Sequence, residues 1–80
     1  MLLKAEIKIR YGSTKTAEHI LRSIEPENFV SEELEIKSIV KNNELYTEIT
    51  TTKSVGTLKN TIDDLLMAIQ LAEKILKKED

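Results

Sequence analysis

The chain has 80 residues, with 12 Lys plus Arg, 14 Asp plus Glu, one His and no Cys, and a formal net charge of −2. This length allows a single domain, residues 1–80, with a small core, because such a chain buries only about 60% of its unfolded surface. The lack of Cys excludes disulfides and thiolate metal sites. The slightly acidic balance argues against a stand-alone nucleic-acid binder.

The chain carries no apolar run near the roughly 20 residues that a membrane span requires. Its first residues also lack the long apolar segment of a secretory signal. We therefore expect neither a membrane segment nor a signal peptide, and we expect a cytoplasmic location.

A strand and a short helix are predicted first. Residues 3–10 alternate apolar and charged side chains, which is typical of a half-buried strand. Ser13 or Thr14 can then cap a helix, because a hydroxyl accepts an unpaired N–H of the first turn. The helix should end near Glu25, since Pro26 disfavours helical geometry in the residue before it. Its apolar stripe consists of Ala17, Ile20, Leu21 and Ile24.

Two more strands follow a connection over residues 28–32, in which Phe29 and Val30 are expected to fold back onto the core. Alternation predicts strands over residues 33–41 and 44–51. The pair Asn42-Asn43 between them predicts a tight turn, because Asn tolerates left-handed backbone dihedrals. These two strands should form an antiparallel hairpin.

A long helix is predicted over residues 55–78, capped by Ser54. Apolar residues recur along it at alternating spacings of three and four, which gives one continuous seam. The seam residues are Val55, Leu58, Ile62, Leu65, Ile69, Ala72 and Leu76. The order β-α-β-β-α predicts an α+β fold with a three-stranded antiparallel-type sheet and two helices on one face.

Four apolar residues of the long helix lie outside this seam: Met67, Ala68, Leu71 and Ile75. Either the first helix shields them or another chain covers them, because one small sheet cannot bury both sides of a helix. We favour docking on a helical partner, driven by the burial of apolar surface, and predict these four as partner-binding residues. The free edges of the sheet offer a second route to association.

The sequence shows no catalytic arrangement. His19 has no companion ligand or oriented base, and we expect it at the surface. Asp63 and Asp64 project about 100° apart on a helix, so they do not converge on one cavity. Asp63 is either solvated or paired with Lys59. We therefore predict no catalytic residue, no metal site and no cofactor.

Residues 48–66 resemble the small Pcc-type (CTAG-family) subunit of the KEOPS complex. In that family a hairpin leads through a polar turn into a helix that opens with a Leu-Arg-like pair, then a β-branched residue and Leu. Leu58-Lys59 matches the pair, Ile62 the β-branched residue and Leu65 the later Leu. The first half fits the same order of elements. Lys59 replaces the usual Arg and Asp63-Asp64 the usual Asn-Ser, which leaves open a standard subunit or a divergent archaeal paralogue.

The resemblance implies a noncatalytic scaffold and dimerisation subunit. Such subunits pair with themselves or with a paralogous small subunit, and dock their helices on the Kae-type catalytic subunit. The assembly places threonylcarbamoyl on an adenosine of tRNA, which the small subunit reaches indirectly through the complex. Apart from the resemblance, Lys4, Lys8 and Arg10 on the outer sheet face are the candidate tRNA-facing residues, although their interleaving with glutamates favours a solvated surface. The alternative is a small dimeric α+β ligand-binding or regulatory module, which would require convergent polar groups and a Gly-lined loop.

Overall fold

A computed structural model describes residues 1–25 and 29–78 of the chain. Its elements are β1 (Leu3–Arg10), α1 (Thr14–Ile24), β2 (Phe29–Val30), β3 (Leu34–Lys41), β4 (Glu44–Thr51) and α2 (Val55–Lys78). The sheet has the order β1-β4-β3-β2, and all neighbouring strands are antiparallel. The predicted α+β fold with the order β-α-β-β-α is confirmed for the long elements, and the two-residue β2 extends the sheet beyond β3.

β4 occupies the centre of the sheet, and its alternating sequence places every second side chain in the core. These side chains are Leu45, Thr47, Ile49 and Thr51, and all are buried. The buried hydroxyls are paired, as burial requires. The Thr47 Oγ1 lies 2.9 Å from the Ser38 Oγ, and the Thr51 hydroxyl donates to the Glu33 carbonyl at 2.7 Å. Ser38 therefore interrupts the apolar face of β3 without leaving a polar atom unpaired.

The β3–β4 turn contains Asn42 with a φ of 59°, in the left-handed region that Asn adopts more readily than most residues. The Asn43 side-chain amide donates to the Tyr11 carbonyl at 2.6 Å, which ties the hairpin to the end of β1. The predicted hairpin is confirmed.

α1 begins after Ser13, whose Oγ accepts the Thr16 N–H at 3.1 Å. The helix buries Ala17, Ile20 and Ile24 completely and Leu21 in part. It ends at Ile24, as predicted, whereas Pro26 lies outside the described residues.

α2 begins after Ser54, whose Oγ accepts the Thr57 N–H at 3.0 Å. Most of the predicted seam packs into the core, with Leu65, Ile69 and Ala72 buried. Val55 is exposed, so the seam begins one turn later than predicted. α1 lies over β3 and β4, and α2 lies over β4 and β1, which gives a two-layer domain.

The prediction that Val30 folds back onto the core is wrong. Val30 pairs with Glu35 in the sheet and is 71% exposed. The next residue of β3, Ile36, is buried against the helices. Because side chains alternate between the two faces of a sheet, Val30 lies on the face away from the helices. Asn28, the predicted start of the connection, and the side chain of Phe29 lie outside what the structure describes.

Candidate functional site

Three predicted partner-binding residues form an exposed apolar row on α2. Met67 is 67% exposed, Leu71 is 60% exposed and Ile75 is 52% exposed. Since they are spaced four residues apart, they lie along one side of the helix, and we call them the α2 stripe. Ala68 is half-buried and packs against the edge of the core. The structure thus places three of the four predicted residues on the surface and one at its boundary.

The α2 stripe faces away from α1. The Tyr11 hydroxyl donates to the Glu73 Oε2 at 2.7 Å, and Glu73 borders a hollow together with Thr16 and Ile20 of α1. Glu73 therefore marks the side of α2 that faces α1. At about 100° per residue, Ile75 lies roughly 160° from Glu73 around the helix. This excludes the interpretation that α1 shields the stripe.

The outer face of the sheet carries the candidate tRNA-facing residues, and each has a glutamate partner. The Lys4 Nζ lies 3.3 Å from the Glu48 Oε2, and this hydrogen-bonded pair raises the pKa of Lys4. The Lys8 Nζ lies 3.6 Å and the Arg10 Nη2 lies 3.4 Å from the Glu44 Oε2. All three cations are exposed, and each lies beside a carboxylate.

A small apolar patch lies at the centre of this charged face. Ile39 is exposed and lies directly opposite Tyr46 in the β3–β4 register. The Tyr46 hydroxyl donates to the Glu44 Oε1 at 2.8 Å, and this bond, followed by the nearby cations, lowers the pKa of Glu44. The Lys8 Nζ lies 5.8 Å from the centre of the Tyr46 ring, within cation–π range. The two-residue turn at Asn42-Asn43 fixes the register that sets Ile39 opposite Tyr46. Neither residue was among the predicted site residues.

The remaining polar candidates are surface residues. His19 is exposed, as expected. The Lys59 Nζ lies 3.4 Å from the Asp63 Oδ2, so Asp63 forms the helical i, i+4 pair. Within residues 1–25 and 29–78, no group of three His, Asp or Glu side chains is placed to hold a metal ion. Neither described helix is long and apolar enough to cross a bilayer.

These observations define a class: a small two-layer α+β domain with an exposed apolar row on α2 and a charged outer sheet face. The sequence matches the family described as "Transcription factor Pcc1" over residues 4–77, and the chain belongs to this Pcc1 family. The predicted resemblance to the Pcc-type KEOPS subunits is confirmed.

A solved structure has the same fold. A chain of the "Crystal structure of binary complex Gon7-Pcc1" aligns with a TM-score of 0.85, covering 98% of this chain and 96% of that chain at 10% identity. At this identity the likeness shows the fold alone. No curated protein matches the sequence. The family, together with this fold, supports a KEOPS-associated subunit.

Proposed function

We propose that the chain is a noncatalytic scaffold subunit of the KEOPS complex that docks on the Kae-type catalytic subunit through the α2 stripe. In this role it supports threonylcarbamoyladenosine modification of tRNA without contributing a reacting group. Membership of the Pcc1 family supports the assembly, and the exposure of Met67, Leu71 and Ile75 supports the docking surface.

The stripe is the observation that carries this proposal. Burying a large apolar side chain contributes about 1.5–3 kcal/mol, so covering three side chains that are each more than half exposed contributes on the order of 3–5 kcal/mol before the costs of association. Residues at i, i+4 and i+8 match the way an amphipathic helix presents anchors to an apolar groove. A helical partner surface with an apolar groove therefore fits α2.

A charge placed in the stripe tests the docking. Leu71→Glu puts a carboxylate at the centre of the row, and we expect it to abolish co-purification with a co-expressed Kae-type subunit. The circular dichroism spectrum should stay native, because Leu71 is already solvent-exposed. The matched control is Gln70→Glu, which adds the same group at the exposed neighbouring position and should bind normally. Unchanged binding of Leu71→Glu would remove the stripe from the proposal.

We further propose that the subunit pairs with a second copy or with a paralogous small subunit. The stripe and the sheet lie on different sides of the domain, so pairing through the sheet leaves the stripe free for the catalytic subunit. Light scattering on the purified chain should give twice the monomer mass of 9.1 kDa. A monomer at all accessible concentrations would contradict the self-paired form and leave the paralogue as the mate.

The tRNA-facing role of Lys4, Lys8 and Arg10 stays a prediction. Their glutamate partners support contact with tRNA through the complex rather than by this chain alone, because nucleic-acid binding by a single domain draws on a basic surface.

A further inference from the structure

A hollow of about 310 Å³ lies where the start of α1 meets the last turns of α2. The residues that line it are Tyr11, Thr16, Ile20, Glu73, Leu76 and Lys77. One water takes a share of liquid volume of about 30 Å³, so the hollow has room for a whole side chain. It lies on the side of α2 that faces α1, and the docking surface proposed above does not include it.

Glu73 brings a negative charge into this hollow with a neutral partner. Its Oε2 accepts the Tyr11 hydroxyl at 2.7 Å. Burial, and then this bond, raises the pKa of Tyr11, so the phenol stays neutral at pH 7. Among the side chains that the structure describes, the ion pairs do not include Glu73. A half-buried carboxylate loses hydration that one neutral hydrogen bond does not replace in full.

The other lining residues suit a side chain with an apolar stem and a cationic end. Ile20 and Leu76 belong to the core and its edge, and they offer apolar contact. Long cationic side chains pack their methylene groups on such surface while the charged end reaches a polar group. The hydroxyl oxygens of Tyr11 and Thr16 each have two lone pairs, and a guanidinium presents five N–H donors against the three of an ammonium. This arrangement favours arginine over lysine.

The charges around the hollow leave Glu73 as the group that selects its occupant. The C-terminal end of α2 favours a cation and the N-terminal end of α1 favours an anion, each with about half an elementary charge, so the two offset one another. At α1 the Ser13 Oγ already accepts the Thr16 N–H. Lys77 is exposed and does not pair with Glu73, although the i, i+4 spacing permits it, so Lys77 acts as a competitor for the carboxylate.

We propose that this hollow receives an arginine side chain of a partner protein, with the guanidinium paired to the Glu73 carboxylate and the stem against Ile20 and Leu76. The source is a protein because one open hollow gives a single side chain only weak affinity, and contacts around it have to supply the rest. The α2 stripe lies on the opposite side of α2. The proposal therefore does not depend on docking through the stripe.

The probe is Nα-acetyl-arginine amide, which carries the side chain without free termini. It is titrated into the ¹⁵N-labelled full chain, and the amides of Thr16, Ile20, Glu73 and Lys77 report on the hollow. We expect saturable shifts with a dissociation constant on the order of a few millimolar. The matching citrulline compound has the same shape without the charge and should bind at least about fivefold more weakly. The matching lysine compound should bind about two- to threefold more weakly.

Variants separate the charge of Glu73 from its shape. Glu73→Gln keeps an oxygen for the Tyr11 hydroxyl but removes the charge, and it should reduce binding of the arginine probe to the level of the citrulline compound. The matched control is Glu18→Gln, the same change at an exposed position of α1, which should leave binding unaltered. Lys77→Gln removes the competing cation and should tighten binding by about twofold.

The proposal is overturned if the four amides do not respond, or if the citrulline or lysine compound binds as tightly as the arginine probe. Free arginine that binds more than about tenfold more tightly than the capped probe would identify a metabolite site and reject the protein side chain. Weaker binding to Lys77→Gln, or the same shifts with inorganic phosphate, would identify an anion site at the start of α1 and also reject it. The measurements on the unmodified protein decide the matter even if Glu73→Gln fails to fold, and none of them bears on the Leu71→Glu test.

Discussion

The hydrogen bond between Tyr11 and Glu73 links the two ends of the chain, and its removal gives a quantitative test of the packing. The Tyr11 hydroxyl donates to the Glu73 Oε2 at 2.7 Å, across 62 positions of sequence. It ties the junction between β1 and α1 to the part of α2 that carries Leu71 and Ile75. Tyr11→Phe removes the hydroxyl and keeps the ring.

We expect Tyr11→Phe to lower the free energy of unfolding by about 1 kcal/mol. A hydrogen bond to a charged group contributes roughly 1.5–3 kcal/mol, and partial exposure of both side chains reduces that value. For a domain of this size, 1 kcal/mol corresponds to a fall in Tm of about 4–8 °C. Urea denaturation and thermal melting at pH 7 measure both quantities.

The effect should depend on pH in a defined direction. Burial, and then the hydrogen bond to Glu73, raises the pKa of Tyr11 above its ordinary value of 10.0. A raised pKa in the folded state means that the contribution of the phenol is fully present below pH 10 and is lost as the pH rises further. The stability difference between the natural protein and Tyr11→Phe should therefore be constant from pH 7 to 9 and narrow above pH 10.

The second tyrosine of the chain supplies the control. Tyr46 also donates to a carboxylate, Glu44, but on the solvent-facing side of the sheet, and Tyr46→Phe should change the Tm little at pH 7. Equal stability of Tyr11→Phe and the natural protein would refute the reasoning. So would a difference that widens above pH 10.

Two further changes probe the core and the turn. Leu65→Ala truncates a side chain that is 1% exposed and should lower the free energy of unfolding by about 2–5 kcal/mol. This is a large part of the roughly 4–12 kcal/mol that stabilises a domain of 80 residues. Urea denaturation measures the loss, and an equal loss for Val55→Ala, at an exposed position, would contradict the assigned seam. Asn42→Val places a β-branched residue at a φ of 59° and should lower the free energy of unfolding by about 1–3 kcal/mol. Asn42→Gly should be nearly neutral, because Gly adopts this backbone conformation without strain. The same Tm for both variants would show that the turn is not strained.

The long elements were predictable from the sequence because their periodicity is local. The alternation of residues 3–10 and 44–51 matches the bounds of β1 and β4, and the helix predicted over residues 55–78 matches α2, whose buried seam begins one turn after Val55. The cap at Ser54 was predictable for the same reason, and the first cap was narrowed to Ser13 or Thr14, because each cap acts within one turn; the structure has Ser13.

What the sequence missed depends on contacts between distant residues. β2 has two residues, too few to show any period, and its pairing with β3 exists only in the folded sheet. The exposure of Val30 follows from that register. The bond between Tyr11 and Glu73 joins residues with no shared pattern.

The exposed apolar row on α2 was predictable in part. The excess of apolar residues on α2 identified Met67, Leu71 and Ile75, and the structure shows that α1 leaves them exposed. Composition and periodicity do not specify what covers them, because the complementary shape belongs to another molecule. The identity of that molecule stays a prediction.

The arrangement of helices on one side and strands on the other has a consequence for how two partners could bind at once. Molecules bound to the helical face and to the outer face of the sheet would be separated by the body of the domain, whose shortest dimension is 17 Å. Their binding free energies should then add, unless the fold itself transmits a change from one face to the other. The chain would then behave as a spacer that holds its neighbours apart at a fixed interval.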